Sequence, residues 1–196
     1  MTDPHVSRGT VGSEDWESRL RKQIEEYYLP QQLVDTIMQA GGIIQTSEVA
    51  KMGIGFLDIA DYTYISKFLS PQENQAVLNG LYTAFNAVLK RHGGYLNKIE
   101  GDSVMFHYGG PTDPRVPHGD DAAVRYIAKE LFYTCVELQR VSERFNKADE
   151  GFFSKGESAE NRKMLERAFD IISRLRSDQI VSDAFNALFQ IRVRIG

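Results

Sequence analysis

Cysteine, tryptophan and histidine are scarce: one, one and four among 196 residues. Each scarcity excludes something. With Cys135 alone there can be no internal disulfide and no cysteine-rich metal centre. Its neighbours Leu131, Phe132 and Leu138 predict a buried helical thiol that packs rather than reacts. His5, His92, His107 and His118 show no zinc spacing. His107, in a strand-like run, is expected to be packed or hydrogen-bonded rather than catalytic. No run approaches the roughly 18 apolar residues of a membrane span. Residues 1–12 are polar and lack a hydrophobic signal region. An excess of positive charge is missing too: the formal net charge of -4 argues against non-specific nucleic-acid binding. A lone thiol without a targeting segment points to the cytoplasm. The chain has no internal repeat and no low-complexity tract.

What is present is ordinary for a globular protein, 42% hydrophobic and 26% charged residues, enough for one domain with additions. Residues 1–12 read as a disordered lead. Ser13 caps a helix with acids in its first turn, and Pro30 opens a second carrying Leu33, Val34, Ile37 and Met38. This 13–42 lead packs on the domain or pairs with a second copy; Trp16 and Tyr27-Tyr28 fit either use. The main domain spans 48–196. It begins with a strand over Lys51–Ile59 and a short helical turn near Tyr64–Phe68. Ser70-Pro71-Gln72-Glu73 then combines a cap, a first-position proline and a reciprocating glutamate. The helix runs to His92-Gly93-Gly94. Tyr95–Ile99 and Val104–Tyr108 flank Glu100-Gly101-Asp102-Ser103 as a hairpin. The prolines of 109–119 mark a loop. A long helix starts at Asp120 or Asp121, a second helix runs from Glu160 to about Leu188, and the last residues, from Gln190, alternate as a strand.

Without the helical lead and the extra helix before the last strand, the order is strand, helix, strand, strand, helix, strand. The predicted class is α+β, an α/β sandwich with a ferredoxin-like βαββαβ core. There the first strand lies antiparallel beside the third, so Asp58 at the end of one approaches Asp102 before the start of the other. Two such carboxylates repel unless a cation lies between them. Magnesium takes one or two carboxylates plus phosphate oxygens. The Ile59–Thr63 loop enters a helical turn and could aim backbone N–H groups at phosphates. No Walker A sequence is present. The spacing alone equally allows Asp58 and Asp102 to cap turns.

Phe56-Leu57-Asp58-Ile59-Ala60-Asp61-Tyr62-Thr63, Arg91-His92-Gly93-Gly94 and Lys98-Ile99-Glu100-Gly101-Asp102-Ser103-Val104-Met105 resemble the class III adenylate/guanylate cyclase catalytic domain. Tyr28-Leu29-Pro30 and Ile191–Gly196 are similar to that family as well. The resemblance implies that Asp58, Asp102 and the Ile59 carbonyl hold two Mg2+ or Mn2+ ions per site. It implies that the backbone of Ala60, Asp61, Tyr62 and Thr63 holds the triphosphate of ATP. Lys98 stands where adenine-selecting members carry lysine and guanylate members glutamate. It can donate to N1 of adenine, whereas N1 of guanine is itself a donor. The implied activity is adenylate cyclase, a phosphorus–oxygen lyase forming cyclic AMP and pyrophosphate in signal transduction. The site lies between two domains, so a homodimer or heterodimer with another cyclase domain is expected.

Three features depart from the pattern. Asp61 stands where the family commonly has glycine. The stretch from Asn146 to Leu188 exceeds the usual link and makes 146–189 a helical insertion. The family's charge-stabilising asparagine and arginine, and its second base-selecting residue, would follow the final strand. The domain is therefore read as incomplete at its C-terminus and inactive by itself. The alternative function is a catalytically inactive cyclase-homology domain that dimerises and regulates. A diguanylate cyclase is disfavoured, because no Gly-Gly-Asp/Glu-Glu-Phe signature occurs.

Overall fold

Alternation along Met52–Ile59 sets the architecture. Gly55, Leu57 and Ile59 are buried while Met52, Ile54 and Phe56 are exposed, the two-residue period of a sheet covered on one face. In the computed structural model the chain divides into two compact units, Met1–Ser47 and Glu48–Gly196. The residues described are 49–110, 113–149 and 158–196, with Met38, Gly41 and Gly151. The 1–12 and 13–42 leads, with Trp16 and Tyr27-Tyr28, lie outside the described residues except for Met38 and Gly41.

The second unit runs β1 (Met52–Ile59), α1 (Tyr62–Ile65) with a 3-10 turn (Ser66–Phe68), α2 (Pro71–His92), β2 (Tyr95–Glu100), β3 (Ser103–Gly109), α3 (Asp120–Phe145), α4 (Ala159–Ser177), α5 (Gln179–Phe185) and β4 (Val193–Ile195). The sheet order is β2-β3-β1-β4, antiparallel at every pairing. This is the expected ferredoxin-like arrangement, with α4 and α5 as the addition before the last strand. Leu57, Ile59, Val104, Phe106 and Tyr108 from the sheet share one core with Val77, Leu81 and Phe85 of α2 and Ile127, Leu138 and Val141 of α3. A side chain at Gly55 would strike the Phe106 ring, 2.3 Å from its nearest carbon. α4 packs on α2, where a Cβ at Gly80 would lie 2.4 Å from that of Ala168. A mid-helix glycine costs up to about 1 kcal/mol against alanine, and here it permits the close approach.

The capping box forms as read. Ser70 Oγ accepts from Glu73 N at 3.3 Å, and Glu73 Oε2 accepts from Ser70 N at 2.9 Å. Ser70→Ala should destabilise the domain by about 1 kcal/mol in a denaturant titration. Gly93 ends α2 with φ 71°, in the left-handed region that favours glycine. In the loop before α3, buried Asp113 accepts from Gly109 N at 3.3 Å and from Arg115 N and Nε at 3.1 Å. The Arg115 guanidinium also donates to Gly93 O, which ties the loop to the end of α2.

Three expectations need correction. The helix from Glu160 to Leu188 is broken: Asp178 (φ -85°, ψ 120°) leaves helical geometry and caps α5, accepting from Ile180 N at 2.8 Å. The final strand is only Val193–Ile195. Just before it, Asn146 takes the place of a neighbouring strand: its Nδ2 donates to Ile191 O at 2.9 Å and its Oδ1 accepts from Ile191 N at 2.8 Å. Cys135 is half-buried rather than buried, and desolvation pushes its thiol pKa up, away from a reactive thiolate. No helix among the described residues is long and apolar enough to cross a membrane.

Candidate metal centre

The β1–β3 ladder brings the two carboxylates together. Asp58 lies opposite Ser103 in the register, and Ile59 N donates to Asp102 O at 3.3 Å. Burial raises the Asp102 pKa, and the charge of Asp58 raises it further; Arg194 and a bond from its own backbone act the other way. Asp58 Oδ1 accepts from Ser103 Oγ at 3.5 Å, the outer limit of a hydrogen bond. Its Oδ2 lies 2.9 Å from Arg194 Nη2 of β4. From α2, the Tyr82 hydroxyl donates to Gly101 O and so fixes the turn that carries Asp102. Burial and then the charge of Asp102 push the Tyr82 pKa up to about 12, so it remains a donor at neutral pH.

A raised carboxyl pKa means that the folded state holds a proton more tightly than the unfolded state. Ionised Asp102 therefore destabilises the fold above its folded pKa, and that loss fades as pH falls into the ordinary carboxylate range. Asp102→Asn should melt no lower than the parent at pH 7, and the difference should shrink in acid, as read by calorimetric melting across pH.

The turn after β1 is bound on several sides. Asp61 adopts φ 61°, and its carbonyl accepts from Tyr64 N at 2.9 Å and Ile65 N at 3.0 Å. Aspartate tolerates this left-handed geometry better than most residues. Its carboxylate turns to the residue just before β4, with Oδ2 2.8 Å from Arg192 Nη2. Ala60 N donates to Arg192 O at 2.8 Å, so that N–H is already engaged. Tyr62 and Thr63 open α1, where N–H groups have no intrahelical acceptor. The Tyr62 ring is buried and its hydroxyl donates to Asn74 O at 3.2 Å. Burial raises its pKa beyond any acid–base use.

Lys98 reaches the same face through an irregularity. Leu96 pairs with Phe106 and Lys98 with Met105, so the ladder slips one residue between them. The bulge moves Lys98 from the helix-covered side to the open side. Across that open face run Glu100, Ser103, Asp58 and Arg194 in one row, and Lys98, Met105 and Phe56 in the next. Lys98 Nζ pairs with Glu100 Oε1.

The sequence reading missed Arg192, Arg194 and Tyr82. The alternation Ile191-Arg192-Val193-Arg194-Ile195 already places both guanidiniums on one side of the strand. Only the β1–β4 register shows that this side faces Asp58 and Asp61. His107 is packed, as expected: it stacks on Tyr95 with ring centroids 5.2 Å apart, and burial lowers its pKa; His5 lies outside the described residues. Among the described residues no three His, Cys, Asp or Glu side chains gather into a metal cluster. What the ladder offers a cation is the Asp58–Asp102 carboxylate pair. Carboxylates at 58, 61 and 102 against arginines at 192 and 194 leave one negative charge in excess. Together with the raised Asp102 pKa, this fits a hard divalent cation, which the two carboxylates would hold.

A match in sequence decides the family: the profile of the adenylate and guanylate cyclase catalytic domain covers residues 44–196. The chain belongs to this family. It is 31% identical over 131 residues to retinal guanylyl cyclase 1 of Bos taurus, covering 61% of this chain and 12% of that protein. To soluble guanylate cyclase gcy-33 of Caenorhabditis elegans it is 26% identical over 110 residues, 56% of this chain and 11% of the other. Adenylate cyclase 1 of Rhizobium meliloti is 33% identical over 89 residues, covering 43% and 13%. The cyclase segment thus spans about a tenth of the length of these relatives. In fold it is similar to a bacterial light-regulated adenylyl cyclase, with TM-score 0.51 and 16% identity over 70% of this chain and 36% of that one. This cyclase domain carries a mixed helix and antiparallel-sheet core, as its motifs implied.

Proposed function

We infer that this cyclase domain binds ATP with divalent ions and, paired with a second cyclase domain, forms cyclic AMP and pyrophosphate in intracellular signalling. The observation that carries the reading is the shared location of Asp58 and Asp102 at one end of the β1–β3 ladder. Asp58, Asp102 and the Ile59 carbonyl are the residues that would hold Mg2+ or Mn2+. Bound there, such ions supply Lewis acidity at the ribose 3′-hydroxyl and the departing pyrophosphate. The chain's own part is to place the nucleotide. N–H groups of Asp61, Tyr62 and Thr63 receive phosphate oxygens, Ala60 holds the turn to β4, and Tyr82 fixes the Asp102 turn. Arg194, now 2.9 Å from Asp58, would have to yield or share that carboxylate for a cation to be held there.

The lysine at 98, on the open face and paired there with Glu100, is the residue that favours ATP over GTP in this reading, because an ammonium can donate to adenine N1 whereas N1 of guanine is itself a donor. Lys98→Glu should cut the ATP-to-GTP preference about tenfold or more, since a mismatched donor leaves a polar group unpaired. Competition between the two nucleotides for Mn2+-dependent binding measures it. An unchanged preference removes the adenylate assignment and leaves the cyclase assignment intact.

The Asp58–Arg194 and Asp61–Arg192 ion pairs favour a second reading, a regulatory cyclase-homology domain whose carboxylates serve structure. Manganese-dependent nucleotide binding decides: heat of binding in the parent, lost in Asp58→Asn, supports the enzyme, and its absence in the parent supports the regulatory module.

A further inference from the structure

A carboxylate in a turn that cradles phosphates is an electrostatic problem, and β4 holds an answer to it. Asp61 caps the start of α1 with φ 61° and a side chain that is 49% exposed, in the turn that leaves the end of β1. Unpaired, it would present a negative charge to a polyanion. Arg192 Nη2 lies 2.8 Å from Asp61 Oδ2, and the Arg192 carbonyl accepts from Ala60 N at 2.8 Å in the same two-residue patch. The backbone bond already ties the residue before β4 to the turn, and paired bonds between Phe56 and Gly196 at 2.8 and 2.9 Å hold the other end of β4 to β1. The guanidinium is 65% exposed, and solvent-exposed ion pairs contribute little to stability. Its larger effect is therefore on the charge that an anionic ligand meets.

We propose that Arg192 is a positioning residue for nucleoside triphosphate binding, whose guanidinium neutralises Asp61 so that the turn accepts phosphate. This rests on the triphosphate reading of the turn. A corollary is that Asp61 and Arg192 act as a unit: losing the arginine alone harms binding, and losing both charges does not. Asn is the replacement for Asp61 because it keeps the size and tolerates the left-handed φ.

The test is calorimetric titration of the full chain with Mn2+ and 2′,3′-dideoxy-ATP, which has no 3′-hydroxyl to react. Parent, Arg192→Ala, Asp61→Asn and the double variant are compared, with adenosine as the ligand without phosphates. Arg192→Ala should weaken triphosphate binding about tenfold, the effect of one uncompensated charge near a polyanion. The double variant, which presents the same net charge as the intact pair, should return to within about twofold of the parent. Adenosine binding should not change, and melting temperatures should stay close to the parent's. A double variant as weak as Arg192→Ala overturns the proposal, because the arginine would then act on the ligand directly. A parent that binds while Arg192→Ala binds equally well overturns it too and leaves the nucleotide reading standing. A parent that binds no triphosphate overturns both.

Discussion

On the proposed metal-assisted reading, Asp58→Ala should lower nucleotide-cyclase turnover by about a thousandfold, the scale for removing a group that organises charge in the transition state. Its fold should survive. Asp58 is 38% exposed and its Arg194 partner 66%, so the lost ion pair is worth about 0–1 kcal/mol. The substitution also removes the neighbouring negative charge that helps to raise the Asp102 pKa. The Asp102 pKa should move down in the variant, a shift that an NMR titration of the side-chain carboxyl reads. Turnover within a few fold of the parent would mean that Asp58 carries no part of the chemistry.

Phe106→Ala should cost about 3–5 kcal/mol, the range for emptying a fully buried aromatic site. Phe106 is fully buried, and its ring fills the place over Gly55 where β1 has no side chain. The cavity would open inside the ladder that aligns Asp58 with Ser103. Against a total stability of roughly 5–15 kcal/mol, that loss leaves a marginal domain. Urea titration measures the change. A loss below 1 kcal/mol would show that the β1–β3 contact is not what holds the carboxylates in register.

The elements that sequence made legible are those with strong local signals. Ser70-Pro71-Gln72-Glu73 specifies a helix start within a few residues, and Gly93 specifies its end. The order of strands and helices, with the antiparallel rule for split β-α-β units, placed Asp58 beside Asp102 before any coordinates. The hidden features are those where a tertiary partner outweighs local pattern. Nothing in Leu96-Asn97-Lys98 announces a bulge, yet the bulge decides which face Lys98 occupies. The apolar stripe continues past Ser177, so Asp178 reads as one more helical residue until its side chain is seen capping α5. Gln190-Ile191-Arg192 alternates like a strand, but there Asn146 supplies bonds to Ile191 that a neighbouring strand would otherwise give. The insertion gains a physical role as well. Phe185 of α5 meets Tyr64 of α1 with ring centroids 5.0 Å apart, and Phe68 at 6.1 Å. α5 therefore buttresses the short helical segment that follows β1.

The most direct test is anomalous diffraction at the manganese edge, from crystals of the full chain grown with Mn2+ and 2′,3′-dideoxy-ATP. Manganese should appear with oxygens of both Asp58 and Asp102 at about 2.1 Å, as for other small hard cations, and with the Arg194 guanidinium displaced from Asp58 or sharing it with the metal. Manganese bound away from this pair, or carboxylates still held by arginine beside an occupied nucleotide, would contradict the account.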